Sequence, residues 1–307
     1  MQASTWRARL PIYIVLTAGS LLFLFPLLWM VSTSLKPIQE TMVIPPRWLP
    51  SEWQWENYGK ALTYGGEKPP TKEEKEKARA EGRQPPPRPP LLDQVPFLRY
   101  ALNTLYLALL GVAGTVLANA VVAYGFARVH WRGRDALFAV TLATMMVPFP
   151  VTMVAVFTLF RHLGWIGTFR PLWVPAWLGS AFNIFLLRQF FMTIPRELSD
   201  AARIDGCNEL RILWNVVLPL AKPALAVVAL FHFMYVWNDF LGPLIYLTDQ
   251  KMFTLALGLQ FFQSRHGGSD WNTLMAASTM VVLPVILLFF FTQRTFIQGL
   301  QLTGLKG

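Results

Sequence analysis

The chain has 307 residues, of which 54% are hydrophobic and only 14% charged, against about 25% charged in a typical soluble domain. That balance excludes an ordinary water-soluble enzyme and points to a membrane protein. The net charge of +10 is spread over short segments and no soluble basic domain collects it, so nucleic acid is not an expected partner.

Six apolar runs approach the ~20 residues needed to cross a bilayer: Leu10–Val31, Ala101–Phe126, Ala136–Phe160, Pro171–Leu187, Leu218–Leu247 and Leu274–Thr292. The first is too long for a signal-peptide core and no A-x-A site follows it, so an uncleaved anchor is expected. Lys and Arg in the short connecting segments set the orientation. With the N-terminus inside, the inner segments hold Arg7, Arg9, Arg128, Arg132, Arg134, Arg188, Arg196, Arg203, Arg211, Lys222, Arg294 and Lys306; the outer loops hold Arg161, Arg170, Lys251 and Arg265. Both termini are therefore expected in the cytoplasm.

The segment from Ser32 to Arg99 is the one large portion between spans, expected outside. Trp48, Trp53, Trp55 and Tyr58 suit a membrane interface. Composition then shifts to EKPPTKEEKEKARAEGR and QPPPRPP, a charge-balanced, proline-rich insert over 66–95. Thr71 with Glu74 reads as a capping box and Gly82 as a helix stop, and the proline run as stiff and extended.

Between the fourth and fifth runs lies PRELSDAARIDGCNELRILWNVVLPLAKP, polar and charged. Pro195 suits a first helical turn. Leu198, Ala201, Ala202 and Leu210 leave an apolar stripe ringed by Glu197, Arg203, Glu209 and Arg211. Gly206 permits a bend in mid-segment. The spacing predicts a short helix, a bend and a second helix ending near Pro219, able to dock into a groove on another protein.

Asp200-Ala201-Ala202, then Gly206, then Val216-Val217-Leu218-Pro219 resembles the cytoplasmic "EAA" coupling loop of ATP-binding-cassette importer permeases, with Asp200 in place of Glu and Val216 in place of Ile. Trp55-Glu56-Asn57-Tyr58, the stretch 97–105, Trp237-Asn238-Asp239-Phe240-Leu241-Gly242-Pro243-Leu244, Trp271-Asn272-Thr273-Leu274-Met275-Ala276-Ala277, Leu283-Pro284-Val285 and the 293–300 stretch ahead of the terminal Lys306-Gly307 resemble the carbohydrate branch of that family. The likeness is to the second of two paired permeases of maltose type, and it omits residues 66–95. It implies an all-α polytopic protein with six transmembrane helices and the type I ABC importer transmembrane fold. It also implies a sister permease, two ATP-binding-cassette ATPase subunits carrying the ATP and Mg, and an extracytoplasmic solute-binding protein. The setting would be the cytoplasmic (inner) membrane of a bacterium or archaeon, in contact with its lipid. ATPase coupling falls to Glu197, Asp200, Ala201, Ala202, Asp205, Gly206, Leu218 and Pro219. The substrate implied is a di- or oligosaccharide, with glycerol-phosphate as the alternative.

The expected parts are a first segment and span over 1–32 and an extracytoplasmic loop over 33–98. A five-helix core follows over 99–293 with the coupling loop at 195–219, then a tail over 294–307. No phosphate-cradling G-x-x-x-x-G-K-[ST] occurs, so ATP hydrolysis is expected on a partner chain. His130, His162, His232 and His266 have no metal-ligand spacing, no nucleophile set presents itself, and lone Cys207 admits no internal disulfide. Only the fifth run carries ionisable groups away from its ends, His232 and Asp239. Asp239 and Asn238 are candidates for the solute path, set against helix packing or interface anchoring for Asp239 and a packing role for His232. An ion-gradient-driven transporter, the alternative from another class, would carry more intramembrane carboxylates and internal repeats. Pro148, Pro150, Pro175 and Pro284 fall inside spans and are expected to kink them.

Overall fold

The computed structural model describes residues 6–263 and 270–304. Arg265, His266, Lys306 and Gly307, named above, lie outside the described residues. Those residues form helices and turns with no strand among them, in keeping with an all-α membrane protein.

Among the described residues, three helices are long and apolar enough to cross a bilayer unaided: Leu10–Ser34, Pro96–Ala127 and Trp271–Gln293. Counting each sharply bent helix pair as one span raises the number to five. Pro284 lies inside the last helix, Trp271–Gly304, without ending it.

The other expected spans are interrupted. The third is two helices, Arg134–Met146 and Phe149–His162, set at 99°. Pro148 and Pro150 cause the break, since neither can donate a helix hydrogen bond and Pro148 holds its own backbone extended. The fourth is a short helix at Arg170–Trp173, a 3₁₀ turn at Val174–Leu178, and a helix at Ala181–Thr193. The fifth begins as a helix only at Lys222 and ends at Asn238.

The chain divides into two compact units, Met1–Leu98 with Leu259–Pro284, and Arg99–Gly258 with Val285–Gly307. In the first, Asn57 Nδ2 donates to the carbonyls of Ser34 (2.9 Å) and Lys36 (3.1 Å), just past the end of the first helix. Asn272 Nδ2 reaches Lys36 O (3.3 Å) and Asn57 Oδ1 (3.2 Å). Main-chain groups left over at a helix end are thereby satisfied by two buried amides. Lys36 is also buried: its Nζ donates to Arg47 O at 2.6 Å and lies 4.0 Å over the Trp29 ring. Burial pushes its ammonium below the usual lysine range. Trp48, Trp53 and Trp55 are exposed, as interface residues would be.

The insert contains the expected helix, Lys72–Ala80, with Thr71 and Glu74 forming both bonds of a capping box and Gly82 at φ +69° closing it. Its two ends meet, Glu67 N–H donating to Asp93 O at 2.9 Å.

The second unit is built on close approach of small residues. Ala120, Ala123 and Ala127 lie along one face of the 96–127 helix and pack with Leu187, Phe191, Ile212, Leu213, Val217 and Val228. Alanines let helix backbones come near each other, the usual basis of contact between helices in lipid.

Candidate functional site

The segment after Pro195 folds as two short helices joined by a tight turn. Pro195 stands just ahead of the first helix, Arg196–Ile204. That helix ends in a complete C-terminal cap. Gly206 N–H donates to Arg203 O (3.0 Å), Cys207 N–H donates to Ala202 O (2.9 Å), and Gly206 takes φ +81°. This is the left-handed stop that glycine accepts without steric cost. Cys207 and Ala202 both pack on the buried cluster, supplying the apolar contact that accompanies such a stop.

Asn208 follows at once as the N-cap of the next helix, its Oδ1 accepting from Arg211 N–H at 2.9 Å. That helix runs from Glu209 through a wide π turn at Leu213–Val217 to Leu220. The wide turn accommodates Pro219, whose missing N–H and ring disrupt regular α bonding. At Ala221 the chain bends by 82° into Lys222–Asn238. The 209–220 element therefore crosses the axis of the span that follows it, the attitude of a helix lying along a membrane surface.

Ionic contacts fasten the two helices together. Arg203 Nη1 donates to Asp200 Oδ1 (2.6 Å) and Arg203 Nε to Glu209 Oε1 (3.0 Å). Glu209 Oε2 accepts from the hydroxyl of buried Tyr124 at 2.5 Å, at the end of the 96–127 helix. The Arg203 guanidinium, reinforced by the Tyr124 hydroxyl, holds the Glu209 carboxyl below the usual range despite some burial, and Glu209 raises Arg203 in turn. Buried Arg128 donates to Ile194 O. Loss of water around it, aided by the charge of Arg196, lowers its guanidinium from the ordinary value. A polar pocket of about 330 Å³ opens here, lined in part by Arg128, Arg196, Ser199, Asp200, Arg203 and Glu209.

Of the residues expected to couple, Glu197, Asp200, Ala201, Asp205, Gly206 and Pro219 are exposed, while Ala202 and Leu218 are half-buried against the core. The expected apolar stripe is divided: Ala202 turns inward, and Leu198, Leu210 and Ile204 face out, Ile204 at 87% exposure. Tyr124 was not foreseen. Its only sequence signal is a phenol at the end of an apolar span, where a buried hydroxyl needs a partner; the partner lies 85 residues away.

Asn238 and Asp239 are neighbours at a helix end. Asn238 is exposed and donates to Met234 O at 2.8 Å. Asp239 closes the 222–238 helix, and its Oδ1 accepts from Gly242 N–H at 3.0 Å, ahead of the Leu241–Tyr246 helix. His232 faces Gly111, where a Cβ would sit 2.5 Å from Nε2.

A polytopic helical protein with broken spans and a capped helix pair crossing the axis of its neighbouring span has the build of a transporter's membrane subunit. The family model described as "Binding-protein-dependent transport system inner membrane component" matches residues 97–301, and the chain belongs to that family. Arabinooligosaccharides transport system permease protein AraQ of Halalkalibacterium halodurans is 36% identical over 205 residues, 67% of this chain and 73% of the relative. Trehalose/maltose transport system permease protein MalG of Thermococcus litoralis is 31% identical over 213 residues, 69% and 76%. sn-Glycerol-3-phosphate transport system permease protein UgpE of Yersinia pestis bv. Antiqua is 32% identical over 209 residues, 68% and 74%. Among solved structures, a bacterial ABC transporter involved in the import of the acidic polysaccharide alginate aligns over 96% of this chain and 98% of its own. The TM-score is 0.74 at 23% identity, a likeness of fold. The protein is thus a membrane subunit of a binding-protein-dependent transport system.

Proposed function

We propose that the subunit imports a carbohydrate, a di- or oligosaccharide, forming the translocation path together with a sister permease. Two ATPase subunits dock on the 195–219 element from the cytoplasm and carry the ATP and Mg. An extracytoplasmic solute-binding protein delivers the sugar on the other side. The membrane is the cytoplasmic membrane of a bacterium or archaeon, with both termini inside.

The observation that carries the coupling role is the capped helix pair itself. It presents Leu198, Ile204 and Leu210 outward next to Glu197, Asp200 and Asp205, while Ala202, Cys207 and Leu218 root it in the bundle core. Exposed apolar side chains rimmed by charge fit a helix-in-groove contact. The rooting means that motion of a docked partner is transmitted to the 96–127 and 222–238 helices. Asn238, exposed at the end of the 222–238 helix, is the candidate of this pair for the solute path, while Asp239 caps the Leu241–Tyr246 helix in keeping with a packing role.

A carbohydrate is favoured by the arabinooligosaccharide and trehalose/maltose relatives. The glycerol-3-phosphate relative keeps a second substrate in view. The test is reconstitution of the whole complex in proteoliposomes with its binding protein. ATP hydrolysis and uptake of maltose, trehalose, arabinotriose and sn-glycerol-3-phosphate are then measured side by side. Uptake of a sugar with matched stimulation of hydrolysis is expected; uptake of glycerol-3-phosphate alone would reassign the substrate.

A further inference from the structure

Arg196, Ser199, Asp200 and Arg203 recur at the i, i+3, i+4, i+7 spacing of one helix face. All four line the pocket of about 330 Å³, facing Arg128, Val129 and His130, the three residues that follow the 96–127 helix. Leu198, Ala201 and Ile204 fall on the opposite side of the same helix. The pocket therefore looks away from the exposed apolar surface assigned to the ATPase. Arg128 and Ser199 are buried in its wall, while Arg196 and His130 are exposed, so it opens to the surface on their side.

The charges of this lining do not balance. Arg203 is committed to Asp200 at 2.6 Å and to Glu209 at 3.0 Å. Arg128 and Arg196 take part in no ion pair among the described residues. Yet they stand close enough for the charge of Arg196 to disfavour that of Arg128. Arg128 is 6% exposed. Its Nη2 donates to Ile194 O and its Nε is closed off, which leaves Nη1 for an occupant of the pocket. A buried guanidinium beside a second cation, with no counter-charge, is costly. An anion between the two relieves that cost, and arginine suits phosphate best, because its fork matches the phosphate oxygens.

Position supplies the source of the phosphate. Arg128 is the first residue after the apolar 96–127 helix. Trp131, three residues on, is exposed, lies with its ring centroid 5.8 Å from that of Phe126 and donates to Gly125 O at 3.2 Å. A tryptophan folded back on the end of a span suits the headgroup layer, and basic pockets at this level take anionic headgroups. We propose that the pocket holds the phosphate of an anionic phospholipid between Arg128 Nη1 and the Arg196 guanidinium. The bound headgroup braces the first coupling helix against the end of the 96–127 helix. The proposal rests on the reading of the 195–219 element as lying at the membrane surface, and on no step of transport.

Arg196 is exposed and no ion pair depends on it among the described residues, so it can be replaced without disturbing the fold. The whole complex is placed in nanodiscs of phosphatidylcholine with and without phosphatidylglycerol, and amide exchange is followed over 128–131 and 194–204. Phosphatidylglycerol should slow exchange in both segments. In detergent, short-chain phosphatidylglycerol should bind Arg196→Gln about fivefold more weakly than the unsubstituted complex, the loss of one basic contact at a lipid surface. Arg196→Lys, which keeps the charge, should retain most of the affinity. Inorganic phosphate should protect neither segment. Equal protection by inorganic phosphate would assign the pocket to a free anion and overturn the lipid. Protection undiminished in Arg196→Gln would place the lipid elsewhere. Exchange indifferent to phosphatidylglycerol would mean that the ATPase or water fills the pocket, and would also overturn the proposal. Protection without coupled uptake would leave the site standing while the importer reading fails; coupled uptake without protection would do the reverse.

Discussion

Gly206 holds the coupling segment in shape through its backbone and not through space. A Cβ there would meet nothing within 4 Å, but φ is +81°. A branched side chain is forced into a conformation that costs about 1–2 kcal/mol, and the turn joining the two helices opens. Gly206→Leu should leave the subunit inserted yet abolish ATP-driven uptake, whereas Gly206→Asn, which tolerates the left-handed region, should retain much of it. Asp200→Lys would place a cation against Arg203, 2.6 Å from the carboxylate it replaces. The ATPase should then dissociate or hydrolyse ATP without regard to sugar. Normal coupled transport in both Gly206→Leu and Asp200→Lys would reduce the segment to a connector.

Tyr124 and Glu209 tie the segment to the second span, and their contribution differs from that of the outer ion pair. Asp200 and Arg203 are largely exposed, where such pairs contribute about 1 kcal/mol or less. The Tyr124 hydroxyl is buried against a carboxylate, a class of bond contributing roughly 1.5–3 kcal/mol. Tyr124→Phe should therefore keep the ATPase docked but loosen the link, seen as ATP hydrolysis that no longer rises when the loaded binding protein is added. The Glu209 carboxyl is depressed by Arg203 first and Tyr124 second. Its stabilising effect is thus complete above the unfolded carboxyl pKa of about 4.3 and is lost as pH falls through the lower folded value. Amide exchange over 196–212, corrected for intrinsic rates, should show protection falling below about pH 4.3 in the native chain and already low at neutral pH in Glu209→Gln.

At the scale of elements, the segments readable from sequence were those whose signals are local. The capping box at Thr71, the stop at Gly206 and the three uninterrupted apolar helices all follow from residues within a few positions of one another. The breaks were less legible. Pro148, with Pro150 two residues on, stands where the chain bends by 99°, whereas lone Pro284 leaves its helix running on. How far a lone proline disturbs a span depends on whether neighbouring groups satisfy the freed backbone, and those partners lie far along the chain. The same holds for Tyr124 with Glu209 and for the Ser180 N–H, which donates to Asn119 Oδ1 at 2.8 Å. The insert is the opposite case. Glu67 and Asp93 already meet, and the matched family residues begin at Phe97, so a short Gly/Ser linker can join 66 to 95 without strain. Uptake and sugar-stimulated hydrolysis should stay within about threefold, roughly 0.65 kcal/mol. Loss of uptake with normal assembly would show that the insert touches a partner or the solute.

For the whole molecule, orientation decides whether the coupling segment and the ATPase can meet. Twelve of the sixteen basic residues in the short connecting segments fall on one side of the expected topology, and this bias places positive loops in the cytoplasm. Single cysteines in a variant without Cys207 read the sidedness directly, provided that each probe is exposed. Ser199, in the middle of the coupling helix, is 2% exposed and would label from neither side. Ile204 is well exposed but is assigned to the docking face, where a bound ATPase would cover it. Arg132, in the exposed turn after the 96–127 helix, and Gln84, in the insert, are exposed and outside that face. An impermeant thiol reagent added to intact cells should label Gln84→Cys and spare Arg132→Cys, and the pattern should invert in inside-out vesicles. Labelling of Arg132→Cys from outside would put the 195–219 element on the wrong face for ATP, and the importer mechanism would have to be abandoned.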